Sequence, residues 1–127
     1  MTHDTPPRIT ILNRLFYPRR FGGLERVLWQ YANALADAGV QVHVITESVE
    51  GSPDQETIHD GLTVQRHTPV DFGRLWRVGE LVQVRWWRKA LAQSPQSDIV
   101  WANEPTAATA AIRSGLSDRL LYRPVFC

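Results

Sequence analysis

Apolar residues recur at intervals of three and four between positions 23 and 38, which predicts an amphipathic helix with one buried face. The apolar positions of that face are 24, 27, 28, 31, 32, 35 and 38. Glu25 falls in the first turn, where a carboxylate suits the positive end of the helix dipole. Gly39 follows the last periodic residue and suits the left-handed conformation that often ends a helix.

Two apolar runs flank this helix, at residues 8–13 and 40–46. Continuous apolar runs with β-branched residues are typical of strands that are buried on both faces of a parallel sheet. Strand, glycine turn, helix and strand together make one βαβ unit. Residues 1–7 are polar and contain two prolines, so we expect a disordered tail there and one Rossmann-like domain over residues 8–127.

The pattern after position 46 predicts a loop, a strand and a second helix. Residues 47–60 are polar and rich in turn-forming residues, which predicts a loop. Residues 61–67 alternate apolar and polar side chains, which predicts a strand, and their polarity favours the edge of the sheet. Residues 74–92 predict a helix. Its apolar stripe comprises Leu75, Val78, Val82, Trp86 and Ala90, while Trp76 and Trp87 project from another side.

The last part of the chain predicts further alternation of strand and helix. Residues 97–102 predict a fourth strand, and the alanine-rich residues 106–114 predict a helix. Residues 116–123 are expected to be a linker, and residues 124–127 to begin a fifth strand. The predicted class is therefore α/β, with a Rossmann-like, mostly parallel sheet of about five strands and flanking helices.

Composition excludes several classes of protein. The 127 residues carry a formal net charge of +1 and a single cysteine, Cys127. This charge gives no global nucleic-acid footprint, and one cysteine excludes a disulfide framework or a cysteine-based zinc site. The chain shows no signal-peptide pattern and no apolar stretch of membrane-spanning length, so we expect a cytoplasmic location. The four histidines lack ligand spacing, so we expect no metal. The chain has neither a G-x-G-x-x-G nor a G-x-x-x-x-G-K-S/T motif, so we expect no cofactor.

The predicted turn and helix also carry a resemblance. The segment Gly22-Gly23-Leu24-Glu25-Arg26-Val27, together with residues 34–46, resembles the opening of the family-4 glycosyltransferases of GT-B fold, somewhat as in lipopolysaccharide core glucosyltransferases. Val40 stands where the family pattern has histidine. The resemblance covers most of the chain, which corresponds to the first part of the family's N-terminal domain.

The resemblance implies transfer of a hexose from a nucleotide-sugar, as the co-substrate, to a glycan or lipid-linked acceptor of the cell envelope, without a chelated metal. In the family, the catalytic-region histidine and the donor-binding residues lie beyond this part of the domain. The resemblance therefore implies that the chain is an acceptor-side fragment, truncated at its C-terminus. Such a fragment carries no catalytic residue and is expected to be inactive alone.

Candidate binding residues follow two of the predicted strands. Gly22 and Gly23 could let backbone N–H groups approach a phosphate, and the resemblance places this turn against the donor diphosphate or the acceptor. Glycine is equally used for its dihedral freedom in a plain tight turn. The loop arginines Arg14, Arg19 and Arg20 are either anion contacts at the carboxyl edge of the sheet or solvated side chains. Asn103 and Glu104 are either acceptor contacts or, for Asn103, the cap of the next helix.

The second helix combines cations with tryptophans, which suits contact with an anionic membrane surface. The residues assigned to that contact are Trp76, Arg77, Arg85, Trp87, Arg88 and Lys89. The alternative is a core stripe with a solvated basic face. A peripheral location on the inner face of the membrane would follow from the first interpretation.

A non-catalytic α/β module, receiver-like or phosphate-binding, is the alternative function. A receiver domain needs clustered acidic residues at the end of the first strand, whereas this chain has Asn13-Arg14 there.

Overall fold

The computed structural model describes residues 6–16, 23–69 and 79–123 of the chain. The elements are β1 (Arg8–Leu12), α1 (Gly23–Asp37), β2 (Gln41–Glu47), β3 (Gln55–His59), β4 (Leu62–His67), α2 (Gly79–Ala92), β5 (Ile99–Ala102), α3 (Pro105–Arg113), a 3-10 turn (Ser117–Arg119) and β6 (Leu120–Tyr122). Each of these three helices stands between strands, as the hydrophobic pattern predicts, and β2, β3 and β4 follow one another directly.

The described strands form one six-stranded sheet in the order β3-β4-β2-β1-β5-β6. All neighbouring pairs are parallel except β3 with β4. The two central strands, β1 and β2, are rich in apolar residues, and Ile11 and Val44 are fully buried. The prediction of a Rossmann-like, mostly parallel sheet with flanking helices is confirmed.

Helices cover both faces of the sheet. On one face, α1 packs Leu28 and Ala32 against residues such as Ile11 and Trp101. On the other face, α2 and α3 pack against each other and against Leu12 and its neighbours. Alternate residues of each strand therefore enter opposite cores, as strand geometry requires. In α1 the predicted stripe is only partly buried.

Two short strands were not predicted from the sequence. Residues 55–59, predicted as loop, form β3, and residues 120–122, predicted as linker, form β6. The predicted strand at 124–127 lies outside the described residues, as do residues 1–5 of the predicted tail. Because β3 covers β4, the prediction that residues 61–67 lie at the sheet edge is wrong.

The polarity of β4 has another cause. The Arg66 side chain is completely buried, and its guanidinium contacts the Glu56 carboxylate at 2.7 Å and donates to the Pro53 carbonyl oxygen at 2.9 Å. A buried cation requires such partners, and they come from β3 and the segment before it. The polar residues of β4 thus fasten the edge hairpin to the sheet.

The prediction of the buried face of α2 is also wrong. Its buried residues are Val84, Trp87, Ala90 and Leu91, of which only Ala90 belongs to the predicted stripe. Trp87 has no exposed surface and lies in the core beneath α2, so its assignment to membrane contact is wrong. Trp76 and Arg77 lie outside the described residues, whereas Arg85, Arg88 and Lys89 are exposed.

A polar network links β2 and β4 to α2. His43 contacts the Thr63 hydroxyl at 2.8 Å through Nδ1 and the Gln65 side-chain oxygen at 2.9 Å through Nε2. The Gln65 amide nitrogen contacts His67 Nε2 and donates to the Ala90 carbonyl oxygen. Burial lowers the pKa of His43. It also lowers the pKa of His67, which is less completely buried.

The network predicts a pH-dependent stability. Both histidine pKa values lie below the ordinary value of about 6.5. At a pH between each lowered value and about 6.5, the folded state therefore binds fewer protons than the unfolded state. Stability is then full above about pH 6.5 and is lost as the pH falls through the folded pKa values. Urea unfolding between pH 7.5 and pH 5 should show this loss, and the variant His67→Gln should reduce it. A stability that is constant over this range would contradict the prediction.

Candidate functional site

The carboxyl edge of the sheet has a switch point between β1 and β5. Both strands run parallel, but the chain continues from β1 to α1 on one face and from β5 to α3 on the other. Open α/β sheets bind ligands in the crevice that such a divergence creates. The segments that border it are residues 13–16 and residues 103–104, which include three of the polar residues singled out from the sequence.

Arg14 is the residue on which three strand ends converge. The Glu104 carboxylate accepts hydrogen bonds from the Arg14 backbone N–H at 3.2 Å and from its Nε at 3.1 Å. Glu47 lies 3.8 Å from the same guanidinium, and the Thr46 hydroxyl donates to the Arg14 carbonyl oxygen at 2.8 Å. Arg14 and Glu104 therefore bind each other, and their arrangement fixes the ends of β1, β2 and β5 relative to one another.

Asn103 differs from Arg14 and Glu104, because its buried side chain contains a polar atom that lacks a partner among the described residues. It is 6% exposed, and its Nδ2 has no hydrogen-bond partner in the part of the chain that the structure describes. The interpretation of Asn103 as a helix cap is wrong, since the residue at the N-cap of α3 is Glu104, which makes no side-chain cap bond. The backbone N–H of Asn103 instead donates to the Leu12 carbonyl oxygen.

Glu25 is buried on the sheet-facing side of α1, although the sequence suggested only a dipole contact. It is 6% exposed, and its Oε2 lacks a hydrogen-bond partner among the described residues. Such an atom costs about 1–3 kcal/mol. One signal could have revealed this burial, because Glu25 precedes Leu28 by three residues and Ala32 by seven and so shares their face.

These unpartnered atoms lie on the same face of the sheet. Trp101, whose buried Nε1 is also unpartnered, belongs to the core beneath α1, and Asn103 follows it by two residues, which returns the side chain to that face. Tyr31 of α1 lies against Trp101, with ring centroids 6.0 Å apart and ring planes tilted by 49°. Glu25 on α1 and Asn103 after β5 both lie nearer to the carboxyl edge of the sheet than this contact does.

Gly23 begins α1 at this edge, and none of the described residues around it requires a glycine there. Its φ is not among the positive values that favour glycine, and a Cβ added to it would meet no atom within 4 Å. The explanation that a tight turn needs dihedral freedom therefore does not apply to Gly23. Open space beside the N–H groups of the first helical turn suits the approach of an anion. Gly22, Arg19 and Arg20 lie outside the described residues.

The described residues contain no group of three or more histidine, cysteine or acidic side chains that could hold a metal ion. Among the helices of the same residues, none is long and apolar enough to cross a membrane. The candidate site therefore offers hydrogen-bonding groups, a helix N-terminus and fixed charges.

Comparison with known proteins adds a family to this geometry. No curated protein matches the chain. Residues 21–126 match the family model described as Glycosyltransferase Family 4. The matched range begins just before α1 and includes every described element that follows. The chain therefore belongs to Glycosyltransferase Family 4.

Proposed function

We propose that this domain forms the acceptor side of an enzyme that moves a sugar from a nucleotide-sugar to a hydroxyl of a glycan or lipid-linked acceptor. Membership of the family supports sugar transfer, and the carboxyl edge supplies the place for it. The observation that carries the proposal is Gly23, whose missing side chain keeps the N-terminus of α1 open without any structural need for glycine.

Each group at the edge has a role in this proposal. The N–H groups of the first turn of α1 bind the negative charge of the donor diphosphate. Gly22, Arg19 and Arg20, which precede this turn in the sequence, are assigned to the same contact. Asn103 donates a hydrogen bond to an acceptor oxygen, and Glu25 accepts one from an acceptor hydroxyl. Arg14 and Glu104 position these segments rather than bind the substrate, because they bind each other.

Transfer also requires groups that hold the donor and its leaving diphosphate. In the proposed GT-B arrangement a second domain supplies them across the cleft, and helix N–H groups with cationic side chains stabilise the leaving charge in place of a metal. Electrostatic stabilisation of this kind is usually a dominant catalytic contribution. We therefore assign binding and positioning roles, and no catalytic residue, to this domain.

The family match does not favour the alternative of a receiver-like or other non-catalytic module. The ends of the described strands also lack its acidic cluster, since Glu47 and Glu104 both face Arg14.

Replacing Gly23 tests the proposed contact. In an enzyme that combines this domain with its donor domain, Gly23→Leu should lower kcat/KM at least about 100-fold, as expected for a lost transition-state contact. The melting temperature should change little, because a Cβ at this position meets no neighbour. Turnover would be measured over a panel of UDP-, GDP- and ADP-sugars.

Gly39, at the opposite end of the same helix, is the matched control. Its φ is +96°, so Gly39→Ala should destabilise the fold by about 1 kcal/mol and leave kcat/KM unchanged. Equal kinetics for wild type and a folded Gly23→Leu variant would remove the turn from the proposed site.

A further inference from the structure

A basic groove lies between α2 and α3, on the face of the sheet opposite α1. Its volume is about 820 Å³. This is within the range of about 300–1,000 Å³ that small-molecule sites occupy. Its cationic lining comprises Arg85, Arg88, Lys89 and Arg113. Its apolar lining includes Leu81, Leu91 and Leu116.

The groove concentrates positive charge without compensation. Among the described residues, no acidic side chain lines it, and none of its four cations makes a salt bridge. Arg85 also stands four residues before Lys89 on α2, and like charges at this spacing weaken a helix by about 0.2–0.5 kcal/mol. The fold thus holds these cations together at a cost.

Helix dipoles explain only part of this cluster. Lys89 and Arg113 occupy the last turns of α2 and α3, where a cation offsets the negative end of the dipole. Arg85 and Arg88 have no such reason to point at the same cavity. A multiply anionic ligand would account for all four residues.

The groove is separate from the candidate transfer site. The two helices follow β4 and β5, so they begin at the carboxyl edge of the sheet and end at its amino edge. Arg85 lies at the middle of α2, Arg88 and Lys89 lie in its second half, and Arg113 lies in the last turn of α3, so the cations are displaced toward the amino edge. A ligand bound there would not occupy the crevice between β1 and β5.

We propose that this groove binds a ligand that carries at least two phosphate groups beside an apolar portion. Arginine guanidinium groups match the geometry of phosphate oxygens and can bind them in pairs. Cations from two helices face one cavity, which fits two separated phosphates better than one. The apolar portion would contact Leu81, which is 62% exposed. The ligand is either the headgroup region of an anionic membrane lipid or a soluble phosphorylated compound.

Two binding measurements on the full 127-residue chain distinguish these sources. Co-sedimentation with phosphatidylcholine vesicles that contain cardiolipin, compared with pure phosphatidylcholine vesicles, tests the lipid. Calorimetric titration with inorganic pyrophosphate tests the soluble source. The groove variant is Arg88→Gln with Arg113→Gln. The control is Arg8→Gln with Arg123→Gln, which removes the same charge from exposed residues outside the groove.

The groove variant should bind the preferred probe at least about tenfold more weakly, while the control stays within about twofold of wild type. Binding should weaken with added salt, and Gly23→Leu should not affect it. Groove-dependent binding of cardiolipin vesicles assigns the lipid, and groove-dependent binding of pyrophosphate alone assigns a soluble ligand. If neither probe binds, or if both double variants lose binding equally while still folded, the proposal is wrong.

Discussion

Replacing Trp87 with alanine is expected to lower the free energy of unfolding by about 3–5 kcal/mol, the usual cost of truncating a buried aromatic side chain. Trp87 has no exposed surface and is the largest fully buried side chain of the described residues. It packs α2 onto the core that includes Leu12 and Val100. Because small domains are stable by only about 5–15 kcal/mol, this single change should remove a large part of the total.

A graded series separates cavity formation from other effects. Trp87→Phe should cost clearly less than the alanine variant, because it leaves a smaller cavity and removes the buried Nε1–H that lacks a partner among the described residues. Trp86→Ala is the neighbouring control, since Trp86 is only partly buried and should cost about 1–3 kcal/mol. Urea unfolding measures all three. An exposed, membrane-facing Trp87 would instead give an alanine variant as stable as wild type.

The parallel sheet could be predicted because its central strands are continuous apolar runs. Strands such as β1 and β2 are buried on both faces, so local sequence alone reveals them. The order of the strands was not predicted. Because α1 and α2 lie on opposite faces of the sheet, right-handed crossovers place β2 and β5 on opposite sides of β1, and both strands run parallel to it. The parallel direction explains why Asn103 and Glu104 were expected at the same edge as Arg14.

The short edge strands could not be predicted, because tertiary contacts decide them. Residues 55–59 have little apolar character, and β3 forms because Glu56 pairs with the buried guanidinium of Arg66. The prediction of the buried stripe of α2 failed for a related reason. Two adjacent tryptophans, Trp86 and Trp87, fit either face of the helix, and packing against α3 selects Trp87.

The candidate site was predicted in position but not in detail. Sequence patterns placed Arg14, Asn103 and Glu104 at the carboxyl edge, where the structure has them, because that depends on topology alone. They could not show that Glu104 is bound to Arg14, which is why we propose a positioning role for it. Nor could they show the burial of Glu25, because a carboxylate in a first turn is ordinarily solvated.

Glu25 should therefore separate stability from function. In the variant Glu25→Leu, an apolar side chain of similar size replaces a buried carboxylate whose Oε2 has no hydrogen-bond partner among the described residues. Changes of this kind are often neutral or stabilise by about 1–4 kcal/mol. If Glu25 instead serves the acceptor, the same variant should transfer sugar about 100-fold more slowly or worse, because an acceptor hydroxyl loses its partner. Natural proteins commonly retain such destabilising groups at functional sites.

Glu80 supplies the matched control, because it is the acidic residue in the first turn of α2 and is exposed. Glu80→Leu removes only a favourable dipole contact, so it should lose about 0.3–1 kcal/mol of stability and leave transfer unchanged. Glu25→Gln should fall between wild type and Glu25→Leu in transfer, since its amide oxygen still accepts a hydrogen bond. Urea unfolding and the KM for the acceptor are the two measurements. A Glu25→Leu variant that is strongly destabilised would show that the carboxylate holds the fold together, and a stable variant with wild-type KM and kcat would show that it does not contact the acceptor.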